Sequence, residues 1–234
     1  MTTETRTFHI SNPVASLAGF TQTTTDELDN LISHVDANGE HSRNIGEQWP
    51  STMSDLGENL TRAELSGIAA RTTNPAALTL LAAHHDWNVR QAIGLNPATP
   101  VSVIDALSHD ADEIVRQIVA EGWLLTPEMV QRLARDESEI VRLTLAENLL
   151  AGPVLHILAD DPEKDVRYCV AKNRACPDDI AHAFIDRALA SQDEDDLAAL
   201  RALASRPNLS VELRDRLAAL PFESVSAAAL HLPK

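Results

Sequence analysis

Apolar positions recur along this chain with a period longer than any one helix. The dipeptide Val-Arg stands at 89–90, 115–116, 141–142 and 166–167, at spacings of 26, 26 and 25 residues. The same columns return around each pair. A Leu lies eight residues before the Val (Leu81, Leu107, Leu133, Leu158), and three residues after that Leu comes His84, Asp110, Asp136 or Asp161. Four and five residues after the Val come an apolar and a small residue: Ile93-Gly94, Val119-Ala120, Leu145-Ala146 and Val170-Ala171. Seven after it stand Asn96, Gly122, Asn148 and Asn173, and a proline follows at Pro100, Pro127, Pro153 or Pro177. Self-similarity at a fixed period marks an architecture of stacked repeats.

Each unit reads as two helices. Proline suits the first turn of a helix, where a missing N–H costs nothing. The segment from Pro to Leu is so short that a 3₁₀ helix is expected there. An acidic turn follows, such as Asp136-Glu137-Ser138-Glu139, favouring the N-terminus of the next helix through its dipole. That second helix runs from about the Val to the Asn. Its buried stripe is the Val with the residues at +3, +4 and +7. Asn or Gly at +7 is expected to end it in the left-handed conformation. A unit this small cannot bury its apolar face alone, whereas stacked units can. The expected fold is therefore all-α, an α-solenoid of short helical repeats of about 25 residues.

Degenerate copies flank the four. Leu65, Ala69, Ala70 and Pro75 fit the second half of a unit, Leu200-Arg201 restores the pair after an insert, and Leu209 to Leu220 close the stack. The repeat domain is placed at 61–234. Residues 1–60 are expected to form a mostly irregular N-terminal extension. It holds one short amphipathic helix at about 25–36, with Thr24 and Glu27 as a capping box and Leu28, Leu31, Ile32 and Val35 as its stripe. Trp49 is expected to anchor the loop that follows.

The pattern Leu-Ala-x-Asp-x4-Val-Arg-x2-Val-Ala-x-Asn, fullest from Leu158 to Asn173, resembles the leucine-rich-repeat-variant family. It is also similar to HEAT repeats, which share the spacing of six from Asp to Arg. The short unit with a 3₁₀-like first helix fits the variant family better. The resemblance spans roughly 61–190, and more loosely 191–220. It implies architecture and a binding role rather than a reaction. Some members carry an N-terminal cysteine cluster for an iron–sulfur centre; here no cysteine precedes Cys169, so that feature is not carried over and no cofactor is expected.

Charge narrows the partners. The formal net charge is -16, with nine acidic and two basic residues in 1–60. A nucleic-acid binder needs a basic face, so nucleic acid is not expected, and an anionic membrane surface is equally unsuited. No apolar run reaches the roughly 20 residues of a membrane span, and the first residues lack the features of a secretory signal. A cytoplasmic location is expected. Sixteen Arg against three Lys, with abundant Ala, points to a GC-rich bacterial source.

The most regular polar feature is the Arg column: Arg90, Arg116, Arg142, Arg167 and Arg201. One reading is a cationic stripe for an anionic ligand. The favoured reading is a structural ladder in which each Arg pairs an acidic turn, Asp110, Asp136 or Asp161, through its planar fork. His84, His85 and His109 with Asp86 and Asp110 carry metal-ligating atoms, but no ligand spacing recurs among them. Cys169 falls in a buried column and Cys176 in a turn, neither with a base to activate it. No phosphate loop, nucleophile elbow or His-Glu-x-x-His motif is present. In the second helix the columns at +2 and +6 from the Val point away from the buried stripe. Leu95, Leu143 and Tyr168 there break the polar pattern, and they are the candidate partner-binding residues.

These features favour a non-catalytic protein–protein interaction module or scaffold, its partner another protein engaged through a basic segment. Oligomeric state is not specified by the sequence. The alternatives are a HEAT-like nucleic-acid-processing protein, which needs a basic groove, and an acidic DNA-mimic inhibitor, whose uniform acidity the Arg column interrupts.

Overall fold

Proline, a polar cap and a Leu or Val every third or fourth residue are enough to start and orient each short segment, and the segments are helical throughout. The computed structural model describes residues 61–191 and 193–230. The expected helix at 25–36 and the Trp49 anchor lie outside these residues. The elements are α1 (Arg62–Arg71), α2 (Pro75–Leu81), α3 (Trp87–Leu95), α4 (Val101–Leu107), α5 (Glu113–Glu121), α6 (Pro127–Leu133) and α7 (Glu139–Glu147). A 3₁₀ helix (Leu149–Val154) then runs into α8 (Leu155–Leu158), followed by α9 (Lys164–Lys172), α10 (Asp178–Ser191), α11 (Glu194–Ala204), α12 (Val211–Ala218) and α13 (Glu223–Leu230). No strand occurs among the described residues.

The odd-numbered helices α1 to α13 stack each on the next, forming one layer of the solenoid, while α2, α4 and α6 make little contact with one another. The small column at +5 explains how the stack closes. Ala120, Ala146 and Ala171 are fully buried, and a Cβ added to Gly94 would lie 3.0 Å from Ile118 Cγ2 of the next long helix. The core is continuous from Leu65 to Ala229. Val89, Val115, Val141 and Val166 are fully buried, as are Leu81, Leu133 and Leu158, with Leu107 nearly so. Each such Leu contributes roughly 1.5–3 kcal/mol by leaving water.

Caps fix the helix starts. Thr61 and Glu64 form a reciprocal capping box on α1. Asn74 accepts from the N–H groups of Ala76 and Ala77, and Pro75 and Pro127 occupy first-turn positions. Asp86 and Asp112 cap α3 and α5 by accepting from Asn88 N–H and Ile114 N–H.

Two local expectations are corrected. The short first helix is α-helical at α2, α4 and α6, each seven residues long. Among the described residues only Leu149–Val154 is 3₁₀, where Pro153 lies inside the segment and removes a backbone donor. Nor do the +7 residues adopt the left-handed conformation. Asn96, Gly122, Asn148 and Asn173 are extended, with φ of -78°, -65°, -73° and -63°. The Asn side chains supply the reason. Asn96 donates to the carbonyls of Ala69 and Thr72, Asn148 to those of Ala120 and Gly122, and Asn173 to those of Ala146 and Asn148, at 2.6–3.0 Å. Each amide thus satisfies carbonyls at the end of the preceding long helix and stitches one unit to the next.

No single helix among the described residues is long and apolar enough to cross a membrane.

Candidate functional site

The acidic turns lie at the N-terminal ends of the long helices, and the Arg column meets them there. Arg90 places Nε and Nη2 on the two carboxylate oxygens of Asp110 in the next unit, at 2.6 and 2.8 Å. Its Nη1 donates to the carbonyls of His84 and His85 in its own turn. Arg116 repeats this on Asp136 and the Asp110 and Ala111 carbonyls, and Arg142 on Asp161 and the Asp136 and Glu137 carbonyls. Each Asp also accepts the N–H two residues on, that of Asp112, Ser138 or Glu163. Bonding to these carboxylates raises the pKa of all three guanidinium groups. With nearly every donor spent on protein, these three do not form a stripe open to an anionic ligand.

Arg167 and Arg201 depart from this geometry. Arg167 keeps the carbonyls of Asp161 and Pro162, but no carboxylate among the described residues lies within 4.0 Å of it. The insert that lengthens α10 puts Ser191 at the turn position, where its hydroxyl accepts Asp193 N–H at 3.2 Å. Arg201 pairs Glu194 at the start of its own helix, half-exposed.

His84 and the two cysteines are occupied structurally, whereas His85 and His109 are exposed. His84 takes the Asp position in its unit, and its Nδ1 accepts Asp86 N–H at 3.0 Å. Burial, with His85 beside it at 4.2 Å between ring centres, pushes the His84 pKa below its ordinary value. Asp110 is held by Arg90, and Asp86 binds Asn88 and Arg62. Among the described residues no group of three or more His, Cys, Asp or Glu converges as a metal site requires. Burial pushes the thiols of Cys169 and Cys176 up to about 12 and about 11, so neither is a thiolate at neutral pH.

A second set of contacts had no signal in the repeat columns. On the short-helix layer, Arg132 reaches back to Asp105 and Ser108, Arg187 to Asp160 and the Ala159 carbonyl, and Arg216 to Asp186 and His182. These pairs are half-exposed and contribute little, roughly 0–1 kcal/mol each. Column +8 carries no apolar pattern in the sequence, with Pro97 and Arg174 in two of its four positions. It puts Trp123 and Leu149 at the C-terminal ends of α5 and α7, 69% and 63% exposed, beside the exposed Leu150. An open depression of about 620 Å³ at the acidic edge is lined by Asp112, Glu113, Arg116, Glu137 and Ser138.

The third surface is the outward face of the long helices. Tyr168 is exposed on α9, whereas Leu95 on α3 and Leu143 on α7 are half-buried, Leu143 packing against the core. The three residues therefore share one face without forming a fully exposed apolar row. Their neighbours at +2, Gln91 and Gln117, are half-buried, and those at +6, Glu121, Glu147 and Lys172, are exposed.

Comparison with family models, with curated proteins and with solved structures finds no match to this chain.

Proposed function

We propose that the chain is a non-catalytic protein–protein interaction module that binds its partner across the outward face of the long helices. The observation that carries this reading is the exposed Tyr168, the one tyrosine of the chain, in a column with half-buried Leu143. Aromatic and aliphatic side chains inside a polar rim resemble the centre of an interface. The acid edge is spent on holding the stack together, whereas this face carries exposed side chains open to a partner. The two thiols are unreactive and the buried histidine is committed to a turn, which supports binding rather than catalysis. We assign the repeats to a leucine-rich-repeat-variant type on their period and columns, and place the protein in the cytoplasm, where buried free thiols persist.

The test is capture of partners from the source organism by the full chain, by Tyr168→Ala and by Leu143→Asp. The expected result is loss of the same captured protein by Tyr168→Ala at unchanged melting temperature. Wild-type capture by both variants overturns the reading.

A further inference from the structure

The long-helix face has an order of charge that its repeat symmetry does not require. On each helix the positions at -2, +2 and +6 from the Val fall within about 80° on one side, at 100° per residue. At -2 and +6 stand Glu113 and Glu121 on α5, Glu139 and Glu147 on α7, and Lys164 and Lys172 on α9, all exposed. Trp87 and Leu95 hold these positions on α3, both half-buried. The face thus steps from apolar to acidic, acidic and then basic, and the basic row uses two of the three lysines in a chain of net charge -16. Within the chain Lys164 pairs Asp195 at 3.3 Å and Glu113 accepts the Ser138 hydroxyl, both pairs still exposed. Between the two rails runs the +2 column, whose Gln91 and Gln117 amides make no hydrogen bond to another described residue.

Within each rail, matching positions on neighbouring long helices lie about 8–10 Å apart, the spacing of packed helices. That equals one turn of a polyproline II segment, three residues at about 3.1 Å each, which returns every third side chain to the same face. Along each helix the two rails are eight residues, or about 12 Å, apart, which leaves a strip wide enough for one backbone. The long helices pack directly on each other while α2, α4 and α6 make little contact with one another, so this face runs without a break from α3 to α9. A strip this narrow, bordered by charges in a fixed order, suits a single segment whose charges run in the complementary order.

We propose that this strip binds an extended segment of a partner protein running along the solenoid, with an apolar residue over α3, basic residues over α5 and α7, and an acidic residue over α9, three residues apart. The two ends set the direction of the segment, because the reverse direction places the acidic residue over apolar α3 and leaves the lysines of α9 without an acidic partner. The glutamine amides meet its backbone. This inference rests on the interaction reading above and names the partner's chemistry.

The probe is a labelled ten-residue peptide with Leu, Arg, Arg and Glu at every third position and Gly-Ser between them. Its partner in the comparison has the same composition with the Glu moved to the second slot and an Arg to the last. Binding to the full chain is followed by fluorescence anisotropy at low salt. The first peptide is expected to bind about tenfold more tightly than the second, and added salt to weaken it. The double substitution Lys164→Glu with Lys172→Glu is expected to abolish that preference. Equal binding of the two peptides, no binding of either, or an unchanged preference in the double variant overturns the inference. If Tyr168→Ala still abolishes partner capture in that event, the interaction reading stands and only the charge order fails; if capture is also unchanged in Tyr168→Ala and Leu143→Asp, both fail.

Discussion

Asn173 donates its side-chain amide to the main-chain carbonyl of Asn148, its own counterpart one unit earlier, at 3.0 Å. The same nitrogen donates to the Ala146 carbonyl at 2.6 Å, and Asn173 Oδ1 accepts Ala175 N–H. One 5%-exposed side chain thus closes the end of the preceding helix and starts the next turn of its own unit. Asn173→Ala strips the side-chain partner from the Ala146 carbonyl and the Ala175 N–H, while the Asn148 carbonyl keeps its bond from Ala151 N–H, and leaving a buried polar group unpaired costs about 1–3 kcal/mol. Urea unfolding should show a loss in that range. A loss below about 0.5 kcal/mol would mean that water replaces the amide without cost.

The second unit lacks this contact because Gly122 stands where the others have Asn. Its ψ is 168°, against 119–131° for Asn96, Asn148 and Asn173. A Cβ there would sit 3.1 Å from the Val119 carbonyl oxygen, so the end of α5 must give by a few tenths of an ångström to admit it. Gly122→Asn is expected to gain the missing bonds to the preceding unit and to remove the conformational freedom of glycine from the unfolded chain. We expect a stability gain of about 1 kcal/mol, measured by thermal and urea unfolding. A lower melting temperature would show that the 3.1 Å contact wins.

The columns of the sequence foretold the stack because period, apolar stripe and acidic turn are properties of every unit. The Asn column shows where such reading stops. Asn ends helices by two routes, as a left-handed cap or by side-chain bonds, and local sequence does not distinguish them; the carbonyls of the unit before decide it. The surface was harder still. Leu95 and Leu143 are flanked by polar residues in sequence, but their exposure depends on how closely the neighbouring long helices approach, which the small residues at +5 control. Arg167 shares the column of Arg142, and only the insert lengthening α10 removes its carboxylate.

His84 gives the protein a pH-dependent term. Its Nδ1 must stay unprotonated to accept Asp86 N–H, and Arg90, bonded to the His84 carbonyl, adds positive charge nearby alongside His85, with Asp86 the opposing negative group. The folded pKa lies below the ordinary value of 6.5. Above that value the imidazole is neutral in both states and the turn has its full stability. As pH falls below it, the unfolded chain takes up the proton first, so stability declines until the pH passes the folded pKa. His84→Asn keeps an acceptor for Asp86 N–H and does not titrate. The variant should lose less stability than wild type as pH is lowered from about 6.5, seen in urea midpoints across pH. Parallel pH profiles for the two proteins would remove His84 as the cause.

Arg116 and Asp136 offer the sharpest test of the ladder, because both side chains are only 8% exposed. The carboxylate meets Nε and Nη2 of Arg116, and its Oδ1 also accepts Ser138 N–H. Arg116→Ala leaves that carboxylate buried without its cation and frees the Asp110 and Ala111 carbonyls, at a cost of about 3–5 kcal/mol. Asp136→Asn keeps an acceptor for Ser138 N–H while removing the charge, so its cost isolates the ionic part. Arg167→Ala removes bonds to two carbonyls but no carboxylate contact, and its cost is expected below about 1.5 kcal/mol. Unfolding of the three variants and of the Arg116→Ala, Asp136→Asn pair gives a double-mutant cycle with a coupling of about 1 kcal/mol or more. Equal costs for Arg116→Ala and Arg167→Ala would show that the carbonyl contacts, and not the carboxylates, hold one unit to the next.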